Sequence, residues 1–203
     1  MFTNRMDAGF ALAEKLKKFS GKEGVVLAVP RGGIPIGYVV AKSTGLPLDL
    51  LMTKKIGHPQ NREYAIGAVS LTDNFLLPHK GVSSTYIKTE TQHIRKNLMR
   101  MRQKFMGTAE PLPLKDKTVI IVDEFIAVLV PEKFDGVGEF YADFHQVTDD
   151  EALYYLGELQ AASASPQKPV KPSEIPAPRA GAPPGPSEIP TPEKEISGPH
   201  YRK

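Results

Sequence analysis

The stretch VVLAVPRGGIPIG, residues 25–37, constrains this chain more than any other. Its five leading residues, Val25, Val26, Leu27, Ala28 and Val29, form a short apolar run that suits a strand covered on both faces, as in a parallel sheet. Pro30 ends the ladder because it has no N–H to donate. Gly32 and Gly33 permit backbone angles and close approaches that a Cβ would block. Their amides can therefore turn toward an anion, with Arg31 adding a fixed positive charge. Pro35 suits the start of a following helix, whose amino end favours the same anion. An Arg-Gly-Gly turn also serves as a tight strand-to-helix connection without a ligand, so by itself it leaves both readings open.

The surrounding sequence places this turn in a βαβ unit. Residues 34–42 continue as a short helix ended by Gly45, and residues 46–53, LPLDLLMT, as a second strand. Such a unit spans about thirty residues and puts its ligand turns at the carboxyl ends of its strands. Upstream, residues 4–19 are helical, with Met6, Phe10, Ala13 and Leu16 on one side. Downstream, Lys54 and Lys55 follow the second strand, and residues 58–64, HPQNREY, read as a polar loop. Residues 65–70 and 75–77 then form a hairpin. Ser84 or Thr85 caps a long helix to about residue 106, with Ile87, Ile94, Leu98, Met101 and Phe105 along one face. Its other face carries Lys88, Arg95, Lys96, Arg100, Arg102 and Lys104 against Glu90. That run either attracts phosphates or is a solvated face, the commoner role.

Residues 118–122, TVIIV, are another strand of buried type, and Asp123 and Glu124 stand at its carboxyl end. In an open α/β sheet this is the binding edge, where paired acids accept hydrogen bonds from sugar hydroxyls or hold Mg²⁺ through water; a solvated strand end is the alternative. The next apolar run, VLV at 128–130, follows after only five residues. A crossover between parallel strands needs roughly a dozen or more. The helix expected after the acidic pair therefore has no sequence to build it. Residues 131–145 form a loop containing Phe134, Phe140, Tyr141, Phe144 and His145, and Thr148 or Asp149 caps a last short helix through Leu159.

Composition separates a folded part, residues 1–159, from a tail, residues 160–203. The tail holds 11 of the 19 prolines and no Leu, Phe or Met, so it is expected to be disordered with extended segments. PSEIP occurs twice in it, at 172–176 and 186–190. The net charge is +3, of which the tail supplies +2, so the folded part is nearly neutral and does not resemble a basic nucleic-acid-binding domain. No apolar run approaches the roughly 20 residues that span a bilayer, and residues 1–10 lack the apolar core of a signal peptide, so a cytoplasmic protein without membrane contact is expected. The absence of cysteine excludes disulfides, thiolate metal sites and Cys nucleophiles. The five histidines show no metal-ligand spacing, and no protein-borne metal site is expected. The glycine pattern is not that of a dinucleotide-binding turn, and there is no Gly-Lys-Ser/Thr of a P-loop.

From about residue 2 to 127 the chain resembles a type I phosphoribosyltransferase, and most of all the small bacterial proteins described as predicted phosphoribosyltransferases. The resemblance is carried by NRMDAG at 4–9, VPRGGIPIG at 29–37, KKIG at 54–57, AIGAVS at 65–70 and VIIVDEFIA at 119–127; residues 130–151 also resemble the end of these proteins. It implies an α/β fold, a parallel sheet with flanking helices. It also implies transfer of a phosphoribosyl group from phosphoribosyl pyrophosphate (PRPP) to a nucleobase or similar acceptor, with Mg²⁺ bound beside the phosphates. Arg31, Gly32 and Gly33 would hold the pyrophosphate, Lys54 and Lys55 would approach it, residues 58–64 would belong to a mobile cover, and Asp123 and Glu124 would bind the ribose hydroxyls. The catalytic set so implied is Asp123, Glu124 and Lys54.

The chain departs from the family pattern just beyond the acids. Phe125 replaces the usual Gly, and Val128 and Leu129 stand where Thr-Gly of the 5′-phosphate loop should be. With the short spacing after Val122, this implies an internal truncation near 127/128, with one helix and one strand lost, impaired activity and uncovered apolar surface that favours homo-oligomers. Two non-catalytic roles stand beside this reading: a pyrophosphate or nucleotide binder using the intact turn, and an interaction protein working through the tail.

Overall fold

A computed structural model describes residues 2–123, 137–163, 170, 174 and 175. Helix α1, Arg5–Leu16, starts with a reciprocal cap: Asn4 accepts from the Asp7 amide at 3.1 Å, and Asp7 accepts from the Thr3 amide at 2.9 Å. Strand β1, Gly24–Ala28, is buried along its whole length. Helix α2, Gly33–Thr44, is buried on nearly every side and stops at Gly45 in the left-handed region, φ 74°. Strand β2 is Leu48–Leu50. Strands β3, Thr53–His58, β4, Asn61–Ser70, and β5, Asn74–Leu76, form an antiparallel sheet in that order. Helix α3, Ser84–Met106, is followed by strand β6, Thr118–Val122, and helix α4 is Asp149–Ser163. The parallel sheet has the order β2-β1-β6, with Val26 opposite Leu48 and Ile120. Residues from α1, α2, α3 and α4 join it in one core that includes Met6, Ile34, Val39, Leu98 and Tyr155.

Four expectations change. The strand expected over 46–53 is cut to Leu48–Leu50, and the chain leaves for the second sheet at Thr53. Lys54 and Lys55 cannot continue a strand covered on both faces, but they fit a half-solvated ribbon. Residues 58–64 are not a polar loop. His58 pairs with Asn61, and β4 runs on through Tyr64, supported by a Lys55–Glu63 ion pair at 2.7 Å and a hydrogen bond from the Tyr86 hydroxyl to the Gly57 carbonyl at 2.8 Å. Helix α3 is capped by Ser83, one residue before the expected site. Helix α4 extends past 159 to Ser163, and two described residues beyond it, Val170 and Ile175, pack against the core. The Val170 amide donates to the Lys42 carbonyl at 3.2 Å, and Ile175, in the first PSEIP, is only 6% exposed.

The supposed loop at 131–145 is anchored where it is described. Phe2 bridges to Tyr141, the Asp143 amide donates to the Thr3 carbonyl at 2.9 Å, and Arg5 lies over the Phe144 ring at 4.1 Å. The truncation expected near 127/128 falls on residues 124–136, outside the described residues. On β6, Ile121 is 63% exposed. Among the described residues no helix is long and apolar enough to cross a membrane.

Candidate functional site

The turn after β1 meets the end of β6. The Val29 amide donates to the Val122 carbonyl at 2.8 Å, and the peptide between Pro30 and Arg31 is cis. Gly32 has φ −63° and ψ −28°, an ordinary helical conformation, and Gly33 is not among the positive-φ glycines. These glycines do not serve by reaching forbidden angles. A Cβ on Gly33 would lie 2.7 Å from the Val122 carbonyl oxygen and 3.3 Å from the Asp123 Cα, so this glycine permits contact between turn and strand.

Fewer amides of the turn are left for a ligand than the sequence suggests. The Gly33 amide donates back to the Val29 carbonyl, and the Ile34 amide to the Arg31 carbonyl, both at 3.0 Å. The amides of Arg31 and Gly32 have no acceptor among the described residues. Both residues line a cavity of about 350 Å³ at the carboxyl edge of the sheet. Met52, Thr53 and Lys54 close it from the link to β3, Leu98 and Met101 from α3, and Gln146 and Val147 from the segment before α4. Its apolar wall is Met52, Leu98, Met101 and Val147; its cations are Arg31 and Lys54.

Strand parity separates the two lysines. Successive strand side chains point to opposite faces. Lys54 lines the cavity, whereas the Lys55 ammonium reaches the Glu63 carboxylate at 2.7 Å and the Glu63 carbonyl at 3.3 Å. That ammonium holds the Glu63 carboxyl below its usual range. Asp123 follows β6, is exposed and is not in the cavity lining. Glu124 lies outside the described residues.

Two features of the site, and one ion pair away from it, were not legible as such. Asp149, expected only as a helix cap, accepts from Arg31 Nη1 at 2.9 Å and also from the Lys104 ammonium. Its carboxyl is held below the usual range, chiefly by the hydrogen bond from Lys104 and then by that from Arg31. Gln146 reaches the cavity from a stretch with no motif. Arg102 leaves the solvated face for which it was a candidate. Its guanidinium meets the Asp49 carboxylate at 3.0 Å, with the two side chains 11% and 4% exposed. Asp49 also accepts from the Leu50 and Leu112 amides at 2.7 and 2.8 Å, so this network ties α3 and the segment after it to β2.

Among the described residues no group of three His, Asp or Glu side chains is placed to hold a metal ion by itself. Asp123 supplies a single carboxylate, which fits Mg²⁺ only in company with ligand phosphate oxygens.

Comparison with known proteins bears on what this edge is for. The family model described as phosphoribosyl transferase domain matches residues 4–127. Proteins named "Putative phosphoribosyl transferase" from two strains of Mycobacterium tuberculosis are each 28% identical over an alignment 231 positions long, covering 86% of this chain and 52% of theirs. The chain thus spans about half the length of these relatives. The crystal structure of TT1426 from Thermus thermophilus superposes with a TM-score of 0.58 at 25% identity, covering 78% of this chain and 98% of that one.

Proposed function

We propose, for a chain that belongs to the phosphoribosyl transferase domain family, that the cavity beside Arg31 holds the pyrophosphate of PRPP during phosphoribosyl transfer to a nucleobase or similar acceptor. The observation that carries the reading is the convergence of Arg31, Gly32 and Lys54 on one cavity at the carboxyl edge of a parallel sheet. The guanidinium, the ammonium and the Arg31 and Gly32 amides offset the negative charge that builds up on pyrophosphate as its bond to the anomeric carbon breaks. Their contribution is electrostatic, greatest where charge develops. Asp123 and Glu124 accept hydrogen bonds from the ribose hydroxyls. Asp123 is the described carboxylate that would help hold Mg²⁺ alongside PRPP, and the ion would supply charge neutralisation of the phosphates.

Activity is impaired in this reading, because Val128 and Leu129 replace the Thr-Gly that would begin the 5′-phosphate loop. Each charge-assisted hydrogen bond lost is worth about 1.5–3 kcal/mol. The exposure of Ile121 on β6 supports a loss of covering structure here. Calorimetric titration of the full chain with PRPP and Mg²⁺, and separately with pyrophosphate, tests the proposal. Expected are pyrophosphate binding that Arg31→Ala abolishes and weak PRPP binding with little turnover of a nucleobase. Binding of pyrophosphate unaffected by Arg31→Ala overturns the seat, and micromolar PRPP binding with turnover overturns the impairment. Pyrophosphate binding with no turnover of any base favours the non-catalytic binder, which the retained half of the site supports.

A further inference from the structure

The Arg31 side chain has two claims on it. It lines the cavity, yet its Nη1 donates to the Asp149 carboxylate at 2.9 Å. Asp149 is the first residue of α4 and lies beyond the family match at residues 4–127. The same carboxylate is bonded to the Lys104 ammonium from α3. Arg31 and Asp149 are 34% and 36% exposed, so their bond exchanges where water reaches both groups.

We infer that Asp149 is an internal competitor for Arg31: an anion entering the cavity takes the guanidinium from Asp149, and Lys104 retains the carboxylate as Arg31 leaves. This rests on reading the turn as a pyrophosphate seat. Two observations carry it beyond an ordinary ion pair. A phosphate oxygen on Arg31 would lie close to the carboxylate that already shares it, and like charges sharing one partner repel. Asp149 also has a second cation, so giving up Arg31 does not leave it unpaired. Asp149 therefore sets the affinity of the seat without touching its ligand, and it couples the start of α4 to occupancy of the site.

The test measures sodium pyrophosphate binding to the full chain by calorimetry, in wild type, Asp149→Asn, Lys104→Gln and the control Asp150→Asn. Asp150 carries the same charge, and none of its bonds reaches Arg31. Asp149→Asn is expected to bind about fivefold more tightly, the ratio given by a partly exposed ion pair of roughly 1 kcal/mol. Lys104→Gln leaves Asp149 to Arg31 and is expected to bind more weakly. Asp150→Asn is expected to change less than twofold. Wild-type binding that is unchanged or weakened in Asp149→Asn overturns the competition while the seat stands, as does an equal gain in Asp150→Asn. Binding seen only in Asp149→Asn supports the competition and refutes a working seat in the native chain. No binding in any form overturns both. If Asp149→Asn does not fold, Lys104→Gln decides, and an unchanged or tighter affinity there overturns the competition.

Discussion

Replacing Gly33 by alanine tests whether this glycine serves packing or conformation. The added Cβ would lie 2.7 Å from the Val122 carbonyl oxygen, a backbone atom in the parallel sheet that cannot rotate away. Either the turn or the end of β6 must move, which for an overpacked site costs about 1–3 kcal/mol. The Val29 amide bonds this same carbonyl at 2.8 Å, and its distortion adds up to about 1 kcal/mol. Alanine is a better helix former than glycine by roughly 0.5–1 kcal/mol, and Gly33, at the first position of α2, gains only part of that. The sum is a loss of about 2 kcal/mol. Gly157 inside α4 provides the contrast: a Cβ there meets nothing within 4 Å, so Gly157→Ala is expected to stabilise by about 0.5–1 kcal/mol. Urea unfolding of both variants, followed by far-ultraviolet circular dichroism, measures the two effects. A Gly33→Ala variant as stable as wild type would refute the assignment of this glycine to the contact with β6.

Three further outcomes are expected. Lys54→Met should weaken pyrophosphate binding roughly tenfold or more, the worth of one charge-assisted hydrogen bond, whereas Lys55→Met should change it little because Lys55 is paired with Glu63 across the ribbon; equal losses in a titration would contradict the parity argument. Arg102→Met should cost about 3 kcal/mol in chemical denaturation, since it leaves the buried Asp49 carboxylate with only its two amide donors. The His145 pKa is raised, first by its hydrogen bond to Asp143 and also by Glu151, which together outweigh desolvation. A raised pKa means stability fully present below the ordinary value of 6.5 and lost as pH climbs through the higher folded value. His145 is about half exposed, so the loss should be well under 1 kcal/mol. The urea midpoint should fall slightly from pH 6 to pH 8, and His145→Asn should abolish that fall.

What the sequence determined was local. A run of small apolar residues makes β1, glycines and prolines end it, and the 3.6-residue spacing of Leu98 and its neighbours makes α3, because each of these depends on residues within a few turns of one another. The strand-turn-helix at 25–37 and the acidic strand end at Asp123 were legible for this reason. So was the family, whose motifs lie along the same elements. The division of Lys54 from Lys55 needed only the knowledge that they sit in a strand, but the sequence assigned them to the end of the wrong one. The partners of the charges were decided by tertiary structure. Arg102 looks like any other basic residue of α3 until β2 brings Asp49 to it from 53 positions away. Asp149 looks like a helix cap until the fold carries it 118 positions back to Arg31. Charge pairing over such separations leaves no periodicity and no motif, because its geometry arises from how the helices pack on the sheet. The sequence therefore identified the turn that opens the site, and only the folded chain shows that its arginine is already engaged.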